Sequence, residues 1–152
     1  MILSEALMQR ADLQRRLEQI KARLVRNVKV QEGEKPAEDV AELMAEFERE
    51  VTALTALIQR INRTNSATVF EGALTLTDAI AVRDGLRKRF TVYNELAAQA
   101  VLRQDRFTRT EVRFVTAIDV AAVQAQADRY AREARELDVR IQATNWKVEL
   151  LE

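Results

Sequence analysis

The stretch Asp119–Ile141 reads DVAAVQAQADRYAREARELDVRI, and its apolar side chains recur at helical spacing. The steps between them alternate strictly between three and four residues, as on one face of an amphipathic helix. The series is Val120, Val123, Ala127, Tyr130, Ala134, Leu137 and Ile141. A stripe this narrow contacts one or two neighbouring helices, which is typical of bundles and coiled coils. The stretch therefore predicts a long packed helix over about residues 119–146.

Three further segments carry the same periodicity, and they predict helices over about residues 4–29, 37–64 and 77–103. Ser4 suits the N-cap of the first helix, and Pro36 suits the first position of the second. Gly85 lies inside the third helix, where it costs roughly 1 kcal/mol relative to alanine unless a bend or a close helix contact uses it. Long helices with short connections favour antiparallel neighbours. The predicted fold is mainly α, with four long amphipathic helices in an antiparallel bundle or coiled coil within one domain, 1–152.

Two connections between the predicted helices have the patterns of strands. Residues 67–70 and 73–76 flank Glu71 and Gly72, which predicts a small β-hairpin. Residues 110–117 alternate apolar and polar side chains, which predicts one extra strand. Because a lone hairpin is marginal in water, we expect these pieces to join a small sheet, within one chain or between chains.

The composition excludes several kinds of chemistry. The chain contains no cysteine and no histidine, so thiol nucleophiles, disulfides, thiolate zinc sites and imidazole bases are absent. We therefore expect no cofactor, no metal site and no catalytic residue. The 24 basic and 24 acidic side chains balance, so no global field favours nucleic acid or an anionic membrane as a partner.

The sequence gives no sign of a membrane segment. Its first residues carry an acid at Glu5 and lack the basic start and apolar run of a signal peptide. Nowhere do 18 apolar residues follow one another, so no stretch predicts a transmembrane helix. We expect a cytoplasmic protein.

Four glutamates recur every four residues along the second predicted helix. They are Glu38, Glu42, Glu46 and Glu50. A row of this kind could hold Mg²⁺ as in helical nucleotide hydrolases, if it faced acids such as Glu133 and Glu136 on another helix. The helical wheel places the row mostly away from the apolar stripe, which favours a solvated face instead.

Two polar clusters are candidates for ligand binding. Asn62, Arg63, Asn65, Asn145 and Trp146 could form a pocket with a stacking face, or could cap helix ends and seal the bundle. Arg103, Arg106, Arg109 and Arg113 could bind an anion, since guanidinium forks pair with phosphate oxygens. The same four arginines could equally pair with Asp105, Glu111 or the acidic second helix.

Several motifs together resemble the septicolysin-like family of small bacterial proteins. They are the stretches Gln31–Asp39, Arg60–Asn65, Leu74–Ala79, Arg103–Arg106 and Ile141–Trp146. The resemblance spans nearly the whole chain and implies a bacterial origin and a helical fold. It implies no catalytic residue, because the family has no established biochemical activity.

These observations favour a non-enzymatic, self-associating structural or interaction protein, expected to form a homo-oligomer. Four narrow apolar stripes and strand-forming connections both call for partners. The alternatives are a Mg²⁺-dependent nucleotide hydrolase that uses the glutamate row, and an anion or nucleic-acid binder that uses the arginine cluster. The side on which Glu42 and Glu46 lie distinguishes the hydrolase from the structural protein.

Overall fold

The computed structural model describes residues 1–101 and 114–152. In these two ranges the chain forms four helices and two short strands. They are α1 (Leu3–Asn27), α2 (Val40–Ala67), β1 (Val69–Glu71), β2 (Leu74–Thr75), α3 (Leu76–Gln99) and α4 (Val120–Asn145). The predicted mainly helical fold with a small hairpin is confirmed. The chain divides into two compact units, Met1–Thr75 with Ala143–Glu152, and Leu76–Gln142.

The first unit is built on α1 and α2, which run antiparallel. Arg16 of α1 meets Glu50, and Arg23, further along α1, meets Glu38 near the start of α2. The apolar residues that this unit buries most deeply are Leu3, Ala6, Ile20, Leu43, Leu57 and Ile61. Of these, Ile20, Leu43 and Ile61 belong to the apolar stripes that helical periodicity predicts, whereas Leu3, Ala6 and Leu57 lie outside them.

Helix α1 begins one residue before the predicted cap, because a tertiary contact fixes its start. The backbone N–H of Leu3 donates to the carbonyl of Val148 at 2.8 Å, and Ile2 forms an antiparallel bridge with Glu149. Ile2 is the N-cap, and its N–H donates to the Glu5 carboxylate at 2.9 Å. The prediction that Ser4 caps the helix is therefore wrong, and Ser4 is buried in the first turn.

Helix α2 begins later than predicted, at Val40 rather than near Pro36. Asp39 is its N-cap, and the Asp39 carboxylate accepts hydrogen bonds from the N–H groups of Ala41 and Glu42 at 2.8 and 3.3 Å. An aspartate at the N-cap accepts hydrogen bonds from the free N–H groups of the first turn, whereas a proline at the first helical position supplies no such acceptor. The stronger cap accordingly decides the boundary.

Strands β1 and β2 form the predicted hairpin, shifted by one or two residues. Val69 pairs with Thr75 and Glu71 with Leu74 in antiparallel register. Gly72 turns the chain with a φ of 57°, a conformation that glycine adopts without steric cost. Of the predicted strand 110–117, residues 110–113 lie outside the described residues, and residues 114–117 are not in a strand.

The second unit is built on α3 and α4, which also run antiparallel. Arg83, early in α3, pairs with Asp138 late in α4, while Tyr93 packs on Tyr130 nearer the other ends. The Asp119 carboxylate accepts from the N–H of Ala122 at 3.1 Å, which confirms the predicted start of α4. The apolar α4 positions with the lowest exposure are Ala127, Ala134, Leu137 and Ile141, all members of the predicted stripe.

Candidate interaction surfaces

The glutamate row of α2 lies against arginines of α1. The Arg23 guanidinium donates to both oxygens of Glu38 at 3.0 and 3.2 Å and lies 3.8 Å from Glu46. Arg16 pairs with Glu50 at 3.0 Å. Glu42 is exposed. Three of the four acids therefore pair with arginines of α1 at a partly exposed edge of the two helices.

Asn27 joins Arg23 and Glu38 into one network at the end of α1. Its amide nitrogen donates to the carbonyl of Arg23 at 2.9 Å, and its amide oxygen accepts from the N–H of Glu38 at 3.1 Å. The hydrogen bond from Arg23 lowers the pKa of the Glu38 carboxyl below its usual value, although desolvation acts in the opposite direction. The carboxylate is thus stabilised in its charged form, as a structural ion pair requires.

No carboxylate cluster suited to a metal ion occurs in the described part of the chain. Within residues 1–101 and 114–152, no three acidic side chains lie close enough together to hold a cation. The hydrolase hypothesis required the glutamates of α2 to face other carboxylates. Glu38, Glu46 and Glu50 pair with Arg16 and Arg23 instead, so the geometry favours a structural role for these three acids.

The predicted asparagine and tryptophan pocket does not form as a unit. Asn145 is 4% exposed, whereas the neighbouring Trp146 is 60% exposed, so the indole neither seals a core nor lines an enclosed site. Arg63 donates through Nε to the backbone carbonyl of Glu152 at 3.1 Å. Besides Asn27, a buried polar residue that sequence reasoning missed is Thr64, whose hydroxyl donates to the carbonyl of Arg60 and accepts from the N–H of Leu151.

These contacts anchor the segment 148–152 to the first unit. Arg60 donates to the carbonyl of Leu151 at 3.0 Å, and the N–H of Leu150 donates to the carbonyl of Met1 at 2.9 Å. The arginines at positions 60 and 63 therefore bind backbone oxygens. The sequence signal for this contact was Thr64 itself, a threonine among the apolar residues of a helix face. Its partner Leu151 lies 87 residues away and could not be identified from a local pattern.

The α3–α4 pair is held by one shared acid and by one aromatic pair. Asp138 accepts from Arg83 at 2.9 Å and lies 3.2 Å from Arg87. Burial acts to lower the pKa of Arg83, but hydrogen bonds to Asp84 and Asp138 outweigh it and raise that pKa above its usual value. Both arginines lie on α3, and α4 supplies the carboxylate that they share.

Tyr130 of α4 is the centre of the aromatic contact. Its ring packs edge-on against Tyr93 with centroids 5.3 Å apart and planes at 80°. The guanidinium of Arg89 lies 5.8 Å from the Tyr130 centroid, and that of Arg129 lies 5.7 Å from it. Both distances are within the range of cation–π attraction. The ring therefore holds the positive end of Arg89 near α4.

A different side of α3 exposes large apolar side chains to solvent. Val82, Val92 and Leu96 are 50%, 43% and 46% exposed. Gly85 lies on the same side, and apart from its chain neighbours and the adjacent backbone of α3 no described atom lies within 4 Å of the position that a Cβ would take there. We call these four residues, with Arg89 between them, the α3 outer face. Helical spacing brings these residues onto one side of α3, but no described part of the chain covers their apolar side chains.

The four arginines of the predicted anion site are not among the described residues. Arg103, Arg106, Arg109 and Arg113 all lie outside the described residues. The site stays a prediction.

Comparisons with known proteins place the chain in a family. A protein-family model described as a family of unknown function, DUF6847, matches residues 10–150. The chain belongs to this family. No curated protein sequence matches it. The resemblance to septicolysin-like proteins stays a prediction, because these comparisons do not bear on it.

A solved structure of a protein of similar length has the same fold. A functionally unknown conserved protein from Corynebacterium diphtheriae superposes with a TM-score of 0.92 and 46% sequence identity, over 99% of each chain. Identity at this level over the full length indicates a common fold and a common ancestor. Within residues 1–101 and 114–152, no helix combines the length and apolar character that crossing a membrane requires.

Proposed function

We propose that this protein is a non-enzymatic module that self-associates and acts as a structural or interaction protein. The observation that carries the proposal is the α3 outer face, where three large apolar side chains stand between 43% and 50% exposed at helical spacing. Single exposed apolar residues are ordinary on protein surfaces, but a row on one helix face marks an interaction site. Burying that row against another helix lowers the free energy of the assembly.

The placement of the charged side chains supports a structural role. On α2 the acids that a Mg²⁺-dependent hydrolase would need are engaged by Arg16 and Arg23. Asp138 of α4 is engaged by Arg83 and Arg87. Carboxylates committed to ion pairs between helices stabilise the fold, and they are poor candidates for holding a catalytic cation.

Sedimentation velocity over a wide range of protein concentration tests the proposal. The monomer has a mass of 17.4 kDa, and we expect a larger species whose population rises with concentration. A single 17.4 kDa species at every concentration would contradict self-association. Measurements at low and high salt separate an apolar interface from one held by charge, since added salt shortens the Debye length to about 10 Å at 0.1 M and weakens the attraction between exposed charges.

A further inference from the structure

We propose that the partner on the α3 outer face is the same helix of a second copy, packed antiparallel so that Leu96 of one chain fits over Gly85 of the other. This inference rests on the self-association proposed above and names the surface and the register that produce it. The resulting assembly is a two-fold symmetric dimer, because each α3 presents the same surface to the other.

The spacing of the outer face is that of a coiled-coil seam. From Val82 to Gly85, Arg89, Val92, Leu96 and Gln99 the steps are three, four, three, four and three residues. A seam with this period keeps facing one partner helix along its whole length. The contacts with α4 come mainly from the other side of α3, through Arg83, Arg87 and Tyr93, and of the seam residues Arg89 also reaches α4 with its guanidinium. The two sides of α3 can therefore be occupied at the same time.

Gly85 fixes where the partner comes closest. A glycine inside a helix weakens that helix, and its backbone here does not adopt a positive φ that would require glycine. Apart from its chain neighbours and the adjacent backbone of α3, no described atom lies within 4 Å of that Cβ position, so no contact with another described element explains the glycine. A missing side chain on a seam leaves a hole that a large knob from a facing helix can fill. Leu96, the largest exposed apolar residue on the seam, is that knob.

Placing Leu96 over the partner's Gly85 determines the remaining layers. In an antiparallel pair, four residues forward on one helix correspond to four residues backward on the other. Arg89 then lies against the partner's Val92, and Val82 against the partner's Gln99. The Arg89 guanidinium lies 5.8 Å from the Tyr130 ring, so its charge is held toward α4 while its aliphatic part covers the seam.

The charges beside the seam are complementary in this register. Lys88 and Glu95 are both exposed, and neither forms a salt bridge with any other residue that the structure describes. In the antiparallel pair Lys88 lies about two residues, or roughly 3 Å along the axis, from the level of the partner's Glu95. A lysine side chain spans that offset. Two-fold symmetry creates the pair twice, which favours this orientation over the parallel one.

A cysteine pair tests the register directly, since the natural chain contains no cysteine. The variants Gly85→Cys and Leu96→Cys are mixed in equal amounts and oxidised mildly, and the products are separated by mass. We expect the mixed disulfide to dominate, because only this pairing brings the two Cα atoms within the roughly 4.4–6.8 Å that a disulfide needs. A Gly85→Cys chain linked to another Gly85→Cys chain would indicate a parallel or unrelated contact and would overturn the proposal.

Charge reversal provides a second test that does not remove the apolar knob. Lys88→Glu and Glu95→Lys should each weaken the dimer about tenfold, because each creates two like-charge contacts from two exposed pairs. The double variant Lys88→Glu with Glu95→Lys should recover an affinity near that of the natural chain. Lys29→Glu is the control, since Lys29 is exposed, makes no salt bridge to another described residue and lies far from α3 in sequence.

The outcomes separate this proposal from the one on which it rests. If the natural chain self-associates but shows neither the mixed disulfide nor the recovery by the double variant, the α3 outer face is not the interface and self-association stands. If the natural chain stays a monomer at all concentrations, both proposals are wrong.

Discussion

The two helix pairs use charged residues in opposite ways. Between α1 and α2, two arginines of α1 pair with Glu46 and Glu50 of α2 and with Glu38 just before it, and Asn27 completes the network. Between α3 and α4, Asp138 is the acid that contacts both Arg83 and Arg87, while the exposed Lys88 and Glu95 pair with no other described residue. The first pair is joined by several ion pairs, whereas the second is joined by one shared acid and carries complementary charges beside an apolar face.

Exposed apolar residues show the same contrast. On α1 and α2 they lie on different sides of the helices or near helix ends: Met8, Val25 and Met44 are 53%, 67% and 57% exposed and share no stripe. On α3 the large exposed apolar residues fall on one seam, together with Gly85. A similar amphipathic sequence pattern can therefore be buried within the chain, as on α1 and α2, or leave a row of apolar residues exposed, as on α3.

Truncation of a core residue should give the largest effect. Ile61 is 1% exposed, and Ile61→Ala should lower the free energy of unfolding by about 3 kcal/mol through lost burial and a cavity. Leu96→Ala removes a side chain that is 46% exposed, so at low protein concentration its cost should be about 1 kcal/mol or less. Urea denaturation of both variants at one low concentration measures the difference. Equal losses would mean that Leu96 belongs to the core of a single chain.

Removing the shared acid of the second pair should give the next largest effect. Asp138→Asn leaves Arg83, whose side chain is only 15% exposed, without its charged acceptor on α4. Hydrogen bonds to charged groups contribute roughly 1.5–3 kcal/mol, so we expect a loss of about 2 kcal/mol in urea denaturation. Asp84→Asn is the matched control, because Asp84 also contacts Arg83 but is 58% exposed. A control as damaging as Asp138→Asn would refute the central role of Asp138.

Filling the glycine position should stabilise the monomer. Gly85→Ala places a Cβ in space free of described atoms and should raise the free energy of unfolding by about 1 kcal/mol through helix propensity. Thermal unfolding monitored by circular dichroism at low concentration measures this change. Gly85→Leu should gain similar helix propensity but fill the hole, so it should abolish self-association. If Gly85→Leu associates as strongly as the natural chain, Gly85 is not part of the interface.

The ion pair of the first unit should show the smallest effect, visible mainly in its pH dependence. Because Arg23 lowers the pKa of folded Glu38, this stabilisation is present above the usual carboxyl pKa and is lost as pH falls through the folded value. Glu38→Gln should therefore unfold at a lower temperature than the natural chain at pH 7, and the two should converge in acid. Melting temperatures between pH 7 and pH 3 measure this. A constant difference across that range would show that the ion pair is not responsible.

Local patterns predicted the helices well, because each needs only its own periodicity. The seven stripe positions from Val120 to Ile141 predicted α4 within one residue at each end, and Asp119 was its expected cap. The boundaries of α1 and α2 were less accurate. The start of α1 is set by the backbone hydrogen bond between Leu3 and Val148 rather than by Ser4. The start of α2 is set by the Asp39 side chain rather than by Pro36. Val148 lies 145 residues away from Leu3 and is invisible to any local pattern.

The glutamate row shows the limit of helical-wheel arguments. The wheel correctly placed Leu43 and Ile61 inside, but it could not show that α1 would bring Arg16 and Arg23 to the edge of the same interface. Pairing partners on a second helix depend on the crossing geometry and the axial register of the two helices. Neither quantity is encoded in the periodicity of one segment.

The sequence by itself determined that this chain is helical, that it lacks thiol and imidazole chemistry, and where most of its apolar stripes lie. These properties follow from residue types and from a period of 3.6, which act over a few turns. Only the tertiary structure decided which charges are neutralised within a helix pair and which apolar positions stay exposed. Both depend on contacts between segments far apart in the chain, such as Thr64 with Leu151 and Arg83 with Asp138.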